Sequence, residues 1–515
     1  MGTRATRPHR RQHLQPHSAS RADSRQLTRR DLLFGRRQAA VGRACRPLPP
    51  APRDPTPGTH QAAARRITDY TVAERNLVQR VTMGLTVEEL ERVRQLGIEG
   101  YVEYHLDYES IDDSELEAML AGYTTLSMEV HELLDQPPGG PLAELVFATI
   151  LRAVYSRRQL FERAVTFWND HFSIYIQKGA TDVLKTVDDR EVIRAHALGT
   201  FPDLLSASAH SPAMLYYLDN HTSVAGQPNE NYARELLELH TLGADNGYSQ
   251  TDVEEAARCF TGWTLHGYEA GADVGKFTFA PELHDDDFKR VLGEYIPPGG
   301  GIQDGEILLE LLSAHENTAF RIACKLCHWF WGYHPPRGLV REVTDAYLTT
   351  GGDMRAMLRA VFTERWMQRA RPKHKRPYHL IVSALRALGG SVTNPYGLVI
   401  PLQSTGQIPF FWVPPDGYPD ELDFWSGLPL PRWNFGASLL NNELPGVSVD
   451  LEVFLAGVQT AEGVIDRIDQ RLFGGALPEV DRAGLLAYLE AGVLSWERAA
   501  ETVGLAVAAP SYQWY

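Results

Sequence analysis

The chain has 515 residues, 43% hydrophobic and 10% aromatic, with 65 acidic against 50 basic side chains and a net charge of −15. That apolar content supplies a large core and excludes a wholly disordered chain, while the acidic excess disfavours broad contact with nucleic acid phosphates. No run of about 18 apolar residues occurs, so no transmembrane helix is expected.

The charge is uneven. Residues 1–66 hold 15 Arg, no Lys and three Asp, a net of +12 against −27 for the remainder. Rich in Pro, Ser, Gln and His and without apolar periodicity, residues 1–66 are expected to form a disordered tail, and 67–515 a single helical domain. Within the tail, Thr28-Arg29-Arg30-Asp31-Leu32-Leu33-Phe34 looks like a twin-arginine export signal. Arg36, Arg37, Arg43 and Arg46 interrupt the apolar stretch such a signal needs. Export to the periplasm or beyond and retention in the cytoplasm are therefore both open. Four cysteines, Cys45, Cys259, Cys324 and Cys327, make no disulfide framework for a chain of this size.

From Ile67 the pattern turns helical. Leu77, Val81, Leu85, Leu90, Val93 and Leu96 recur at three- and four-residue spacing, with Gly84 and Gly97 as punctuation and Thr86 as an N-cap. Helices are expected at 112–134 and 141–175, separated by Gln136-Pro137-Pro138-Gly139-Gly140. Others follow at 190–208, 229–243, 250–262, 304–332, 338–350, 353–364 and 375–389, then at 436–442, 450–457, 461–471 and 481–502. Only Lys276–Ala280 and Arg290–Tyr295 read as strands. The segment from Gln407 to Trp433, crowded with Pro, Gly and aromatics, reads as a long ordered loop. The expected fold is mainly α: one large multi-helix domain with a minor short β-hairpin and that aromatic, Pro-rich loop.

The stretch Asn229-Glu230-Asn231-Tyr232-Ala233-Arg234-Glu235-Leu236-Leu237-Glu238-Leu239-His240-Thr241-Leu242-Gly243 resembles the signature of the bacterial family called domain of unknown function 1800. Other segments agree in order: Leu77–Gly84, Phe167-Trp168-Asn169-Asp170-His171-Phe172, Ala213–Asn220, Phe260-Thr261-Gly262-Trp263, His284-Asp285 with Lys289, and Pro415-Asp416-Gly417-Tyr418-Pro419. The similarity spans roughly residues 70–445 and rests on many ordered segments rather than one motif. It implies a mainly helical fold and, as a partner, a neighbouring protein of the alkaline-phosphatase and sulfatase group; it brings no reaction with it.

On the helix 229–243, Asn231, Glu235 and Glu238 are spaced to share a face, with Arg234 beside them. Two carboxylates and an amide there suit acid–base work or metal ligation; the plainer alternative is an exposed charged face with an Arg234–Glu238 pair. His240 follows Glu238 by two residues, so the Glu-x-x-His spacing of a di-iron site fails. His171 sits among aromatics beside Asn169 and Asp170. If His171, His196 and Glu235 converge, they could bind a divalent metal and activate water. His284 and Asp285 are further metal candidates, and Lys289 and Trp263 substrate-binding candidates, through the resemblance; Asp286 and Asp287 read as a solvated turn. Trp412, with Phe410, Phe411, Tyr418, Trp425 and Trp433, could wall a substrate cleft or simply pin its loop to the core.

Cys324-Lys325-Leu326-Cys327-His328 has the spacing of c-type haem attachment. Ile322, Ala323, Leu326, Trp329 and Phe330 make it the middle of an apolar helix, where cysteines act as small hydrophobes, and haem is disfavoured. Phosphate-binding, dinucleotide, nucleophile-elbow and His-Glu-x-x-His motifs are absent from the sequence. Two functions remain: a hydrolase-type enzyme, metal-assisted or not, using His171, Arg234, Glu235 and Glu238 on an extracytoplasmic polymer such as a polysaccharide; or a non-catalytic scaffold for the phosphatase-like neighbour.

Overall fold

Thr86 caps the helix Val87–Leu106, its hydroxyl accepting from Glu89 N at 3.3 Å. Gly97 does not end that helix but kinks it, at φ 70° and ψ 173°. The computed structural model describes residues 70–515; the Arg-rich segment and its twin-arginine motif lie outside the described residues.

Several long expected helices are each broken by a polar side chain that takes over a helix end. Ser156 separates Gly140–Tyr155 from Gln159–His171, donating to Asp113 Oδ2 at 2.7 Å and accepting from Arg158 N at 3.0 Å. His315 separates Gln303–Ala314 from Glu316–Phe330, its Nδ1 accepting from Asn317 N. Ser495 starts Trp496–Ala508 in the same way after Glu479–Glu490. Expected helix 112–134 resolves into Ser114–Leu120, a 3₁₀ turn and Val130–Leu134. The aromatic loop is interrupted by Leu422–Trp425, and the helix expected from 436 begins earlier, at Pro429.

The strands form three antiparallel pairs: β1 (Trp263–Leu265) with β2 (Phe277–Phe279), β3 (Lys289–Val291) with β4 (Glu294–Ile296), and β5 (Ser391–Val392) with β6 (Val447–Ser448). The single strand expected at 290–295 is a hairpin because Leu292 and Gly293, both at positive φ (53° and 86°), turn the chain back. The architecture is mainly α with these short ribbons.

Two apolar clusters hold it together. One gathers the helices Val72–Val81, Gln159–His171, Gln250–Cys259 and those between 303 and 361. The other surrounds Pro377–Leu388, buried at every position but Arg386, with Gly140–Tyr155 and the helices from 429 onward. A helix apolar all round belongs at the centre of a core. Among the described residues no helix is long and apolar enough to cross a membrane.

Candidate functional site

The signature helix starts at Glu230 and changes character halfway: Glu230–Glu235 is α-helical and Leu236–His240 forms a π turn. Its amides serve the backbone. Asn229 caps the helix, accepting from Asn231 N at 3.0 Å, and Asn231 Nδ2 donates to Leu218 O at 3.0 Å. Arg234 bridges Glu230 at 2.8 Å and Glu238 at 3.6 Å. The shared face expected of Asn231, Glu235 and Glu238 does not form, because Asn231 is exposed, Glu235 buried and Glu238 lies past the switch to π geometry. Glu235 faces Tyr217, whose phenol its charge helps to push upward.

The end of this helix meets His171. His171 Nε2 donates to the His240 carbonyl at 3.1 Å, which leaves Nδ1 to accept from Lys325 Nζ at 2.8 Å. The imidazole is enclosed by Trp168, Phe172 and Phe201. Burial and the Lys325 cation hold it well below the ordinary histidine range, so it is neutral. His240 is lowered to about 3, again by burial first. Lys325 is lowered to about 7 by burial and by Arg321 beside it, against the opposing pull of Asp170 and Asp416. Arg321 itself donates to Leu239 O at 3.1 Å.

Asp170, one residue before His171, opens onto a cleft with Asn169, Ser173, Arg376, Phe410 and Trp412 in its walls. The loop carrying the aromatics is clamped against the helix end at Gly417. At φ 76°, that glycine lies so close to Asp170 that a Cβ would stand 1.9 Å from its carbonyl oxygen. Trp412 Nε1 donates to Asp416 at 2.7 Å and Tyr418 Oη to Ile408 O at 2.6 Å, which holds the loop's shape. Arg376 Nη1 lies 2.7 Å from Asp170 Oδ2. Burial nonetheless raises the Asp170 carboxyl above its usual range, the Arg376 charge opposing it.

Of the aromatics expected to wall a substrate cleft, Phe410, Trp412 and Tyr418 line this one. Trp263 and Lys289 are wholly buried and carry packing and charge-pairing roles instead of the substrate contacts expected of them. Lys289 Nζ lies 2.5 Å from Asp304 Oδ2, and His284 Nε2 lies 3.2 Å from the same oxygen, with all three side chains at 0–1% exposure. Asp285 is held bidentate by Arg258 at 2.8 and 3.0 Å, which keeps its carboxyl low. His284 and Lys289 therefore tie the hairpins to helix Gln303–Ala314 through Asp304, and Asp285 ties them to helix Gln250–Cys259 through Arg258. Burial expels water there, so the ions depend on one another for their counter-charge.

The five metal candidates do not come together: His171 faces Lys325, Glu235 faces Tyr217, His284 and Asp285 face Asp304 and Arg258, and His196 is half-buried apart from these contacts. Among the described residues no group of three His, Cys, Asp or Glu could hold a metal ion. Cys327 is fully buried with its thiol pushed up by burial, and His328 Nε2 lies 2.6 Å from Asp420 O, so this helix turn packs inward.

Sequence reasoning passed over Lys325 and Arg376 and left Asp170 and Asp416 outside its chosen site. Lys325 was hidden inside an apparent haem motif; Arg376 closes the run Lys373-His374-Lys375-Arg376, a basic cluster just ahead of a helix-starting Pro377 that could have marked it.

No curated protein and no solved structure matches the chain. One family model does, over residues 76–514, described as "Protein of unknown function (DUF1800)" and reaching well past the motifs that ended near residue 445. With a match over nearly all of the described residues, the chain belongs to that family.

Proposed function

We propose that the protein is a hydrolase-type enzyme that works by acid–base chemistry on a hydroxyl-rich polymer such as a polysaccharide, in the cleft between helix Gln159–His171 and the loop around 407–420. The observation that carries this is Asp170: a carboxyl raised by burial, set in a cleft wall beside Phe410 and Trp412. A carboxyl raised above its usual range gives up a smaller driving force when it exchanges a proton with a leaving oxygen, which suits it to acid–base work. Aromatic faces stack on the apolar faces of sugar rings. Lys325, which feels the Asp170 charge through space, is itself lowered to about 7. His171 orients Lys325, and Arg234, Glu235 and Glu238 shape the helix on which His171 rests.

Asp170→Asn should lower release of reducing ends from a panel of neutral, uronic and sulfated polysaccharides by about 10²-fold or more, measured below its melting temperature, which should fall because Arg376 loses its counter-charge. Full activity in this variant would remove Asp170 from the chemistry.

One observation favours a second function. The Asn229 and Asn231 side chains bond backbone groups, so the signature's amides serve packing. A scaffold for an alkaline-phosphatase or sulfatase-like neighbour needs only that. Co-purification with such a neighbour, in a protein inert toward the whole panel, would select the scaffold.

A further inference from the structure

Behind the cleft lies a smaller chamber lined by Met83, Arg163, Lys373, His379, Asp420 and Tyr515 among others, and sharing Thr166, Arg376 and Tyr378 with the cleft wall. It is built from distant parts of the chain: residues 513–515 pair in antiparallel fashion with 373–375, the Lys373 and Tyr515 backbones bonding each other at 2.7 and 2.9 Å. Two of its cations have carboxylate partners, Lys373 with Asp420 at 2.5 Å and Arg376 with Asp170 at 2.7 Å. Two guanidiniums beside it have none among the described side chains. Arg163, 2% exposed, contacts His379 Nδ1 at 3.2 Å; Arg80, 1% exposed, donates to the carbonyls of Trp331 and Arg371. Both lie over the Tyr515 ring, at 5.7 and 4.4 Å.

Among the described residues, the buried nitrogens here without partners are Arg163 Nε and Nη2, Arg80 Nη1, His379 Nε2 and Trp329 Nε1. Since Arg163 donates to His379 Nδ1, the proton of that ring sits on Nε2. Every one of these nitrogens is therefore a donor, and Arg163 and His379 line the chamber. Asp420 Oδ1 is the single open acceptor in the lining, and its carboxylate is already held by Lys373. Donors in excess, with cationic charge in a dehydrated setting, call for an acceptor carrying negative charge. The chamber has room for about one water-sized particle, which is too little for phosphate, sulfate or a carboxylate.

We propose that this chamber binds one monovalent anion of halide size, held by Arg163 and His379 in the field of Arg80, Arg376 and Lys373. The anion would fix the back wall of the cleft, because Arg376 and Tyr378 belong to both spaces. The site stands independently of the reaction assigned to the cleft.

The full chain, prepared in sodium gluconate, should show a saturable rise in Tm of roughly 2 °C or more as gluconate is replaced by chloride or bromide at constant ionic strength. Crystals grown in bromide should give an anomalous peak beside Arg163 and His379. Arg163→Met should lose the halide dependence; if that variant does not fold, the bromide peak in the wild type decides alone. A halide-independent Tm with only a water in the chamber would overturn the proposal. So would a tyrosinate band near 295 nm at neutral pH that is lost in Tyr515→Phe, since a phenolate would then supply the negative charge.

Discussion

Lys325 loses most of its hydration where it meets His171, and Arg321 adds like charge beside it, so its ammonium titrates at about 7. An unfolded lysine keeps its proton to about 10.4. Between those values the folded protein binds fewer protons than the unfolded chain, and stability rises with pH through this group. Below pH 7 both states are protonated and the full cost of holding the buried charge is present. Lys325→Met should flatten the pH slope of urea-unfolding stability between about pH 7 and 10, and should raise stability most at pH 6. An unchanged slope would place Lys325 in contact with solvent. At this scale the sequence was a partial guide. Asp170 and Trp412 sat in segments already singled out, whereas Lys325 became visible only when folding set it 154 positions away in the chain from its own, against His171. A side chain's pKa depends on neighbours that are distant in sequence, and one sequence alone does not display them.

Among the elements, the hairpins between Trp263 and Ile296 are tied down by charge as much as by apolar contact. Lys289 reaches Asp304 and the carbonyls of Asp285 and Asp287, and His284 reaches Asp304 and Thr261 O. Asp304→Asn leaves Lys289 buried without its counter-charge and should cost roughly 3–5 kcal/mol, read as a drop in the urea midpoint. A loss below about 1 kcal/mol would mean that water enters the cluster. Helix existence was legible in periodicity for much of the chain, since apolar spacing reports the buried face directly, but Thr181–Asp188, Pro212–Tyr217 and Tyr396–Ser404 were not anticipated. Helix ends were less legible. The breaks at Ser156 and His315 come from side chains competing for backbone partners, and the π turn at Leu236–His240 changes which residues share a face without changing the apolar pattern. That switch is why the carboxylates of the signature, read as one surface, have separate environments.

For the molecule as a whole, two free thiols among the described residues report on global opening. Cys259 and Cys327 are each 0% exposed, and burial raises both, Cys259 to about 12. Thiolates are the reactive form, so neither should react with an aromatic disulfide reagent at pH 8 in the native state. Their labelling should become fast at the denaturant concentration where helicity is lost, and labelling well before that point would reveal a separately opening unit. The large core expected from the apolar composition divides in two, with the Pro377–Leu388 helix filling the second. Composition reports how much apolar surface must be hidden and is silent on how it is shared.

The first described helix, Val72–Val81, finds its partners very late in the chain. Asn76 donates to Met367 O, 291 positions on, and Arg80 to Trp331 O and Arg371 O. At about 5–20 residues per second, a ribosome takes roughly 15–60 s to deliver Met367 after Asn76 has been made. Throughout that interval Leu77, Val78 and Val81, all 0% exposed in the finished protein, can pack only against helices already made, such as Val87–Leu106, and the side that meets the late partners stays uncovered. The nascent chain thus carries a sticky apolar stripe through most of its synthesis, and its yield in a cell should depend on chaperones that cover such stripes until the far partners emerge.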